Sequence, residues 1–233
     1  MWDNPRLLNA AAGFLVGLAA LAMAVAGTYW IAHSAFFPVR AVELANAVQH
    51  APRAQIEATL ERYGRGNFFA LPIDQLRAAL EQLPWVRKAA VRRVWPDRVE
   101  VLIEEHVALA RWGTDALVNT YGERFAGTLE GELPQFAGPE GSEAEVTRRY
   151  ERFSRLLAPL ASPIARLTLS ARHAWQLSLA NGMELKLGRD GDEAERRLAR
   201  YVDAYVSAPA EALPVGAVVD LRYPNGFSVR VKG

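Results

Sequence analysis

The chain has 233 residues, 51% hydrophobic and 23% charged, with 27 Lys+Arg against 26 Asp+Glu and a formal net charge of +1. That length builds one large domain or two small ones with real cores, and the composition is not that of a disordered chain. The even charge balance removes the general electrostatic case for nucleic-acid binding, and the lack of cysteine excludes a disulfide framework, thiolate zinc sites, iron–sulfur clusters and cysteine nucleophiles.

The first element is apolar. From Leu7 to Ile31 there is no charge, and Asn9 is the one strongly polar residue. At about 1.5 Å per residue a helix over this run reaches roughly 37 Å, enough for a hydrocarbon core of about 30 Å. Tyr29 and Trp30 stand at its far end, where aromatic rings favour the headgroup level. Residues 1–6 read as a short cytoplasmic tail, 7–31 as a transmembrane helix and 32–38 as a juxtamembrane linker, with the rest exported. A cleaved signal peptide is the alternative, with Ala32-His33-Ser34 as its cleavage site. Its apolar core would run only about 7–15 residues, so an uncleaved anchor is the better reading. The positive-inside indication is weak, because Asp3 offsets Arg6 and Arg40 lies on the other side. Gly13 and Gly17 form a G-x-x-x-G, continued by Ala20, Ala24 and Gly27. Such a face permits close helix contact, although a segment this rich in Ala and Gly yields one by chance.

Residues 39–106 read as strand, helix, helix, strand, strand. Val39–Leu44 alternates apolar and polar. Pro52–Tyr63 carries Ala54, Ile56, Leu60 and Tyr63 at near-helical spacing, with Pro52 in the first turn and Gly64 and Gly66 beyond the end. Asp74 is expected to cap a second helix bearing Leu76, Ala79, Leu80 and Leu83, which Pro84 stops. Trp85–Trp95 reads as a strand in which Val86 and Ala89 fall three apart, predicting a bulge or a late start near Lys88. Pro96-Asp97 turns the chain into a hairpin whose second strand places Val99, Val101 and Ile103 on one face.

Residues 107–233 have a shorter rhythm. Val107–Trp112, Ala116–Asn119 and Glu123–Ala126 are predicted strands, and Pro134 and Gly138-Pro139 break the chain. Ser142-Glu143-Ala144-Glu145 matches a capping box opening a helix to about Leu157. Ile164–Leu169 and Trp175–Leu179 are strands, and Asn181-Gly182 predicts a hairpin to Met183, Leu185 and Leu187. Asp192 is expected to cap a helix with Ala194, Leu198, Tyr201, Val202 and Tyr205. Two last strands, Val218–Arg222 and Phe227–Val231, flank Pro224-Asn225-Gly226. The expectation is a mostly antiparallel sheet with helices on one face.

No constellation for catalysis emerges. His33, His50, His106 and His173 never pair at helical spacing, no G-x-S-x-G occurs, and no glycine-rich phosphate loop follows a strand. In Glu104-Glu105-His106 the alternation splits the polar groups between two faces, so the cluster reads as a solvated strand end. No enzyme activity, cofactor or metal is expected. The basic group Arg87, Lys88, Arg92, Arg93 and Arg98 lies beside Glu100, Glu104 and Glu105 of the hairpin's second strand, which favours cross-strand pairing, with lipid headgroups or an acidic partner as the alternative for the surplus. In the last strand Phe227, Val229 and Val231 point one way and Ser228, Arg230 and Lys232 the other. A terminal strand at a sheet margin offers unpaired backbone groups to a partner strand. A central position, or Arg230 and Lys232 acting against pairing, fits the composition equally well.

The run LPWVRKAAVRRVWPDRVEVLIEEHVALARW, with GNFFALPID before it and LVNTYGERF, ARHAWQLSLANGMELKLG and VVDLRYPNGFSVRV after it, resembles the FtsQ/DivIB family of bacterial cell-division proteins. The resemblance covers essentially the whole chain in order. It implies an α+β, single-pass inner-membrane protein: one transmembrane helix, a POTRA domain (β-α-α-β-β, 39–106) and a mostly antiparallel periplasmic β-domain with flanking helices (107–233). It implies a non-enzymatic scaffold at the division septum that links FtsB and FtsL to upstream division proteins. In that family a C-terminal strand receives a strand from FtsB. The matching residues here are Arg222, Tyr223, Asn225, Gly226, Phe227, Ser228, Val229 and Arg230. Arg172, ahead of Trp175-Gln176-Leu177, matches an arginine that pairs with an acidic partner side chain. The POTRA domain is implicated in septal recruitment, and Trp95-Pro96-Asp97 falls at its hairpin. Two features depart from relatives: little chain follows the last strand, and the cytoplasmic segment is very short. The rival reading is a POTRA-containing receptor in outer-membrane protein assembly or secretion, which usually carries several POTRA copies and a long barrel.

Overall fold

The computed structural model describes residues 5–32, 34, 36–207, 216–223 and 226–230. The chain divides into two compact units, Met1–Glu105 and His106–Gly233.

Unit 1 begins with helix α1 (Pro5–Ala32), long and apolar enough to cross a membrane and exposed along nearly all of its described length. A Cβ placed on Gly13, Gly17 or Gly27 would meet nothing within 4 Å, so among the described residues no segment packs on that small-residue face. Strand β1 (Ala41–Leu44), helices α2 (Arg53–Tyr63) and α3 (Ile73–Glu81), and strands β2 (Val86–Val94) and β3 (Arg98–Glu105) follow. The sheet order is β1-β3-β2, with β1 parallel and β2 antiparallel to the central β3. In β3 the alternation buries Val99, Val101 and Ile103, and Ile56 of α2 and Leu76 and Leu80 of α3 are likewise hidden almost fully. The register of β2 shifts between Val86 and Lys88, the bulge that the three-residue spacing predicts. Two helix starts differ from expectation. Pro52 precedes helix α2 as its cap residue, in extended conformation. Helix α3 already starts after Pro72, so Asp74 lies in its first turn, where a carboxylate favours the positive end of the helix dipole.

Unit 2 holds a nine-stranded sheet. Its strands are β4 (Ala108–Trp112), β5 (Ala116–Asn119), β6 (Arg124–Phe125), β7 (Gln135–Ala137), β8 (Ile164–Leu169), β9 (Ala174–Leu179), β10 (Glu184–Arg189), β11 (Val218–Asp220) and β12 (Ser228–Arg230). The spatial order is β12-β11-β10-β9-β8-β7-β4-β5-β6. Most pairs are antiparallel; β4–β7, β7–β8 and β10–β11 are parallel. Helices α4 (Glu143–Leu157) and α5 (Gly191–Ser207) pack on each other and on β8 and β10. Strand β7, not anticipated, lies between the breaks at Pro134 and Gly138 and joins β4 to β8. Asn181-Gly182 makes the predicted hairpin: Gly182 takes φ +84°, and the Asn181 side-chain oxygen accepts the Met183 N–H at 3.0 Å.

The two caps of unit 2 also differ from expectation. Ser142 stands at the N-cap of α4, but its hydroxyl donates to the Pro139 carbonyl at 2.6 Å instead of accepting from the helix. Asp190, not Asp192, serves α5: its carboxylate accepts the Asp192 N–H at 3.1 Å. The Asp192 side chain instead takes the Arg149 guanidinium at 2.9 Å, which holds its carboxyl below the usual range.

Candidate partner-binding edge

Strand β12 ends the sheet of unit 2. One side pairs with β11 in the register Val218–Arg230, Val219–Val229 and Asp220–Ser228. No strand pairs with its other side among the described residues. The registers line up an apolar row on the helix side of the sheet: Phe136, Leu167, Leu177, Leu185, Val219 and Val229. The first five are at most 2% exposed, whereas Val229, at the margin, is 40% exposed. On the opposite face Arg166, Ser178, Glu184, Val218 and Arg230 form one row, and Thr168, Gln176, Lys186, Asp220 and Ser228 the next. The margin therefore presents an apolar position flanked by polar ones, in a periodicity that another strand would continue.

Beside the margin, the ring of Phe227 stands edge-on to Tyr201 of α5, centroids 5.2 Å apart, and remains 40% exposed. Tyr201 is fixed from beneath, its hydroxyl donating to the Met183 sulfur at 3.2 Å; burial and then Tyr205 push its pKa up to about 12. Tyr223 is 54% exposed. Arg197, Arg200, Leu221, Gly226 and Phe227 line a shallow depression between α5 and the margin. Sequence reasoning placed Tyr201 on the apolar face of a helix and connected neither it nor Arg197 and Arg200 with this edge. They lie on α5, and only the packing of that helix beside β12 brings them to the edge.

The other expected site residues fall as follows. Arg222 is exposed, and its guanidinium is held by Asp220, with Nε to Oδ1 at 2.8 Å and Nη2 to Oδ2 at 2.5 Å. That hydrogen bond lowers the Asp220 pKa and raises that of Arg222. Gly226 has no steric need to be glycine, since a Cβ there would meet nothing within 4 Å. Ser228 and Arg230 are exposed on the polar face. Asn225 lies outside the described residues, as do Val231 and Lys232. Arg172 is exposed in the turn between β8 and β9, with no ion-pair partner among the described residues. β9 is three strand spacings from β12, about 14 Å. Arg172 lies off the end of the sheet at which Ser228 pairs with Asp220, so a partner touching both Arg172 and β12 must reach across that end.

In unit 1 the basic group is largely spent on its own fold. Arg87 pairs with Glu104 at 2.6 Å and Arg92 with Glu100 at 2.8 Å, and Arg93 donates to the carbonyls of Phe68, Phe69 and Leu71. Glu105 is not a solvated strand end. Its carboxylate accepts the backbone N–H groups of Gln49, His50 and Ala51 at 2.8, 2.8 and 2.6 Å. Burial raises its pKa, but these three bonds outweigh that and set it below the ordinary 4.5. His106 stacks on Phe125 and shares a hydrogen bond with Asn119. Among the described residues no group of three or more His, Asp or Glu is arranged to hold a metal.

Two family models match the chain: POTRA domain, FtsQ-type, over residues 37–106, and cell division protein FtsQ/DivIB, C-terminal, over residues 110–222. The second stops before β12. Among curated relatives, the cell division protein FtsQ of Burkholderia pseudomallei is 42% identical over 100% of this chain and 95% of the relative. Those of Nitrosospira multiformis and Bordetella pertussis are each 38% identical, over 99% and 98% of this chain and 99% and 92% of the relative. With an apolar N-terminal helix of membrane-spanning length, a POTRA domain and a sheet-rich second unit, the chain belongs to the FtsQ/DivIB family of cell-division proteins.

Proposed function

We propose that this protein is a non-enzymatic, single-pass inner-membrane scaffold of the division complex. Residues 1–6 lie in the cytoplasm, and the POTRA domain (39–106) and β-domain (107–233) lie in the periplasm at the septum. It links FtsB and FtsL to upstream division proteins, and a segment of FtsB adds as a strand beside β12. The observation that carries this reading is the outer side of β12, which no strand among the described residues pairs with, and Val229 continuing an otherwise buried apolar row. Each added main-chain hydrogen bond contributes only about 0.5–1.5 kcal/mol net, so side chains must fix the register. Tyr223 and Phe227 supply exposed ring surface for that, and Arg172, off the end of β9 and more than about 14 Å from β12, supplies a cation without an ion-pair partner among the described residues for an acidic partner residue. A partner whose segment before the added strand is helical or extended covers that distance.

The test is capture of FtsB by the full-length protein carrying Arg172→Glu or Phe227→Ala. Both substitutions should weaken it. Wild-type capture by both variants would refute this placement of the interface.

A further inference from the structure

Outside α1, the described residues of unit 1 expose three large aromatic side chains: Phe36 at 79%, Phe69 at 44% and Trp95 at 74%. Scattered exposed apolar residues are ordinary, but hydrogen bonds gather these three at one end of the unit. The Ser34 hydroxyl donates to the Ile31 carbonyl, in the last turn of α1, at 2.6 Å. The Ser34 carbonyl in turn accepts from the Asn67 side chain at 2.5 Å, and the Asn67 oxygen accepts the N–H groups of Phe69 and Ala70. The Phe68 N–H donates to the Phe37 carbonyl at 2.8 Å, and the Phe69 ring stands edge-on to Phe37 and Phe68. Trp95 is tied to the same end from both sides. Arg93, two residues before it, donates to the carbonyls of Phe68, Phe69 and Leu71, and Asp97, two residues after it, accepts the Arg40 N–H at 2.9 Å.

The distance from the membrane follows from the chain itself. Phe36 stands four residues beyond Ala32, so it lies at most about 14 Å from the end of α1. That end carries exposed Tyr29 and Trp30, the residues that favour the headgroup level. The headgroup layer on each side of the hydrocarbon is only about 5–8 Å thick. We propose that this aromatic end of the POTRA domain is seated in the lipid headgroup layer, with Trp95 and Phe69 as the side chains that enter it. The proposal rests on α1 spanning the bilayer. The nearby cations are engaged within the unit, Arg40 with Asp97 at 3.5 Å, Arg65 with Glu61 at 3.8 Å and Arg93 with the three backbone carbonyls. The contact is therefore aromatic, and it requires neither anionic lipid nor low salt. A protein occupant would have to displace headgroups that the tether keeps against this surface.

The chain has no cysteine, so single cysteines can be labelled cleanly. The full-length protein is reconstituted into phosphatidylcholine vesicles with a bimane label at Phe36→Cys, Phe69→Cys, Trp95→Cys or Lys88→Cys. Lys88 is exposed near the opposite end of β2, about 20 Å away along the strand. Quenching is read with a headgroup nitroxide lipid and with aqueous iodide. Labels at 69 and 95 should be quenched by the nitroxide several-fold more than the label at 88, be shielded from iodide, and behave alike in low and high salt. A label at 95 that behaves like the one at 88, while 36 is quenched, overturns the headgroup contact and leaves the spanning helix intact. A label at 36 that escapes the nitroxide overturns the proposal, and the spanning reading falls as well only if a label at Trp30→Cys, inside α1, also escapes it.

Discussion

Tyr223→Ala and Phe227→Ala separate partner binding from folding, because the two rings make different demands on unit 2. Tyr223 is 54% exposed and has no ring partner among the described residues, whereas Phe227 is 40% exposed and leans on Tyr201. For side chains of about 200 Å², a strand that covered the exposed parts would hide about 110 and 80 Å², worth roughly 2–3 kcal/mol each at about 25 cal/mol per Å². Losing either ring then raises the Kd by about 30- to 100-fold. The buried part of Phe227, about 120 Å², adds an upper bound of about 3 kcal/mol to the stability of unit 2, so Phe227→Ala should also lower its melting temperature. By the same reckoning the hidden part of Tyr223, about 90 Å², contributes at most about 2 kcal/mol, so Tyr223→Ala should lower the melting temperature less. Isothermal titration of the periplasmic segment of FtsB into the full-length variants gives the Kd, and circular-dichroism melts report the fold. A Tyr223→Ala protein that stays folded at the assay temperature and binds with an unchanged Kd would show that the partner does not cover this end of the margin.

Glu105→Gln removes the charge that gathers three backbone N–H groups, only one of them part-buried, and should destabilise unit 1 by about 1–2 kcal/mol at neutral pH. Because the folded-state pKa of Glu105 lies below 4.5, the wild-type advantage is present above that value and is lost as pH falls through the folded pKa; melts between pH 7 and 3 should show the two proteins converging. Arg149 bridges α4 to Asp192 and Glu195 of α5. Arg149→Ala should cost about 1–2 kcal/mol, less than a fully buried pair because Glu195 keeps Arg152 at 3.2 Å, and an unchanged denaturant midpoint would remove the bridge from the account of unit 2. Gly122→Ala combines a φ of +78° with a Cβ placed 2.5 Å from the Ala144 Cα, at the start of α4. The conformation alone costs about 1–2 kcal/mol and the overlap adds to it, so the melting temperature should fall clearly; an unshifted melt would contradict the close approach.

Much of this protein follows from local patterns, because those depend on near neighbours along the chain. The uncharged run to Ile31 determines α1, the period-two alternation of Val99, Val101 and Ile103 determines the buried face of β3, and Asn181-Gly182 determines the β9–β10 hairpin. The three-residue step from Val86 to Ala89 marks the bulge. Short polar groups are less legible, since a serine or aspartate near a helix start has several backbone partners in reach. Ser142 turns back to Pro139, and Asp190 displaces Asp192 because Arg149, from another helix, claims the latter. The same holds for Glu105, whose three donors come from a loop more than fifty residues earlier.

The sequence by itself determined that a last strand exists and that its side chains alternate. Only the tertiary structure decided that this strand is marginal. Val229 has the same alternation whether its strand is central or terminal, and its exposure depends on whether another strand lies beyond it. Strand β7 shows the converse: Gln135–Ala137 is too short to carry a period, and it is a strand because β4 and β8 hold it on both sides. Strand order is set by pairing between distant segments, whose free energy comes from burial that no short window of sequence contains.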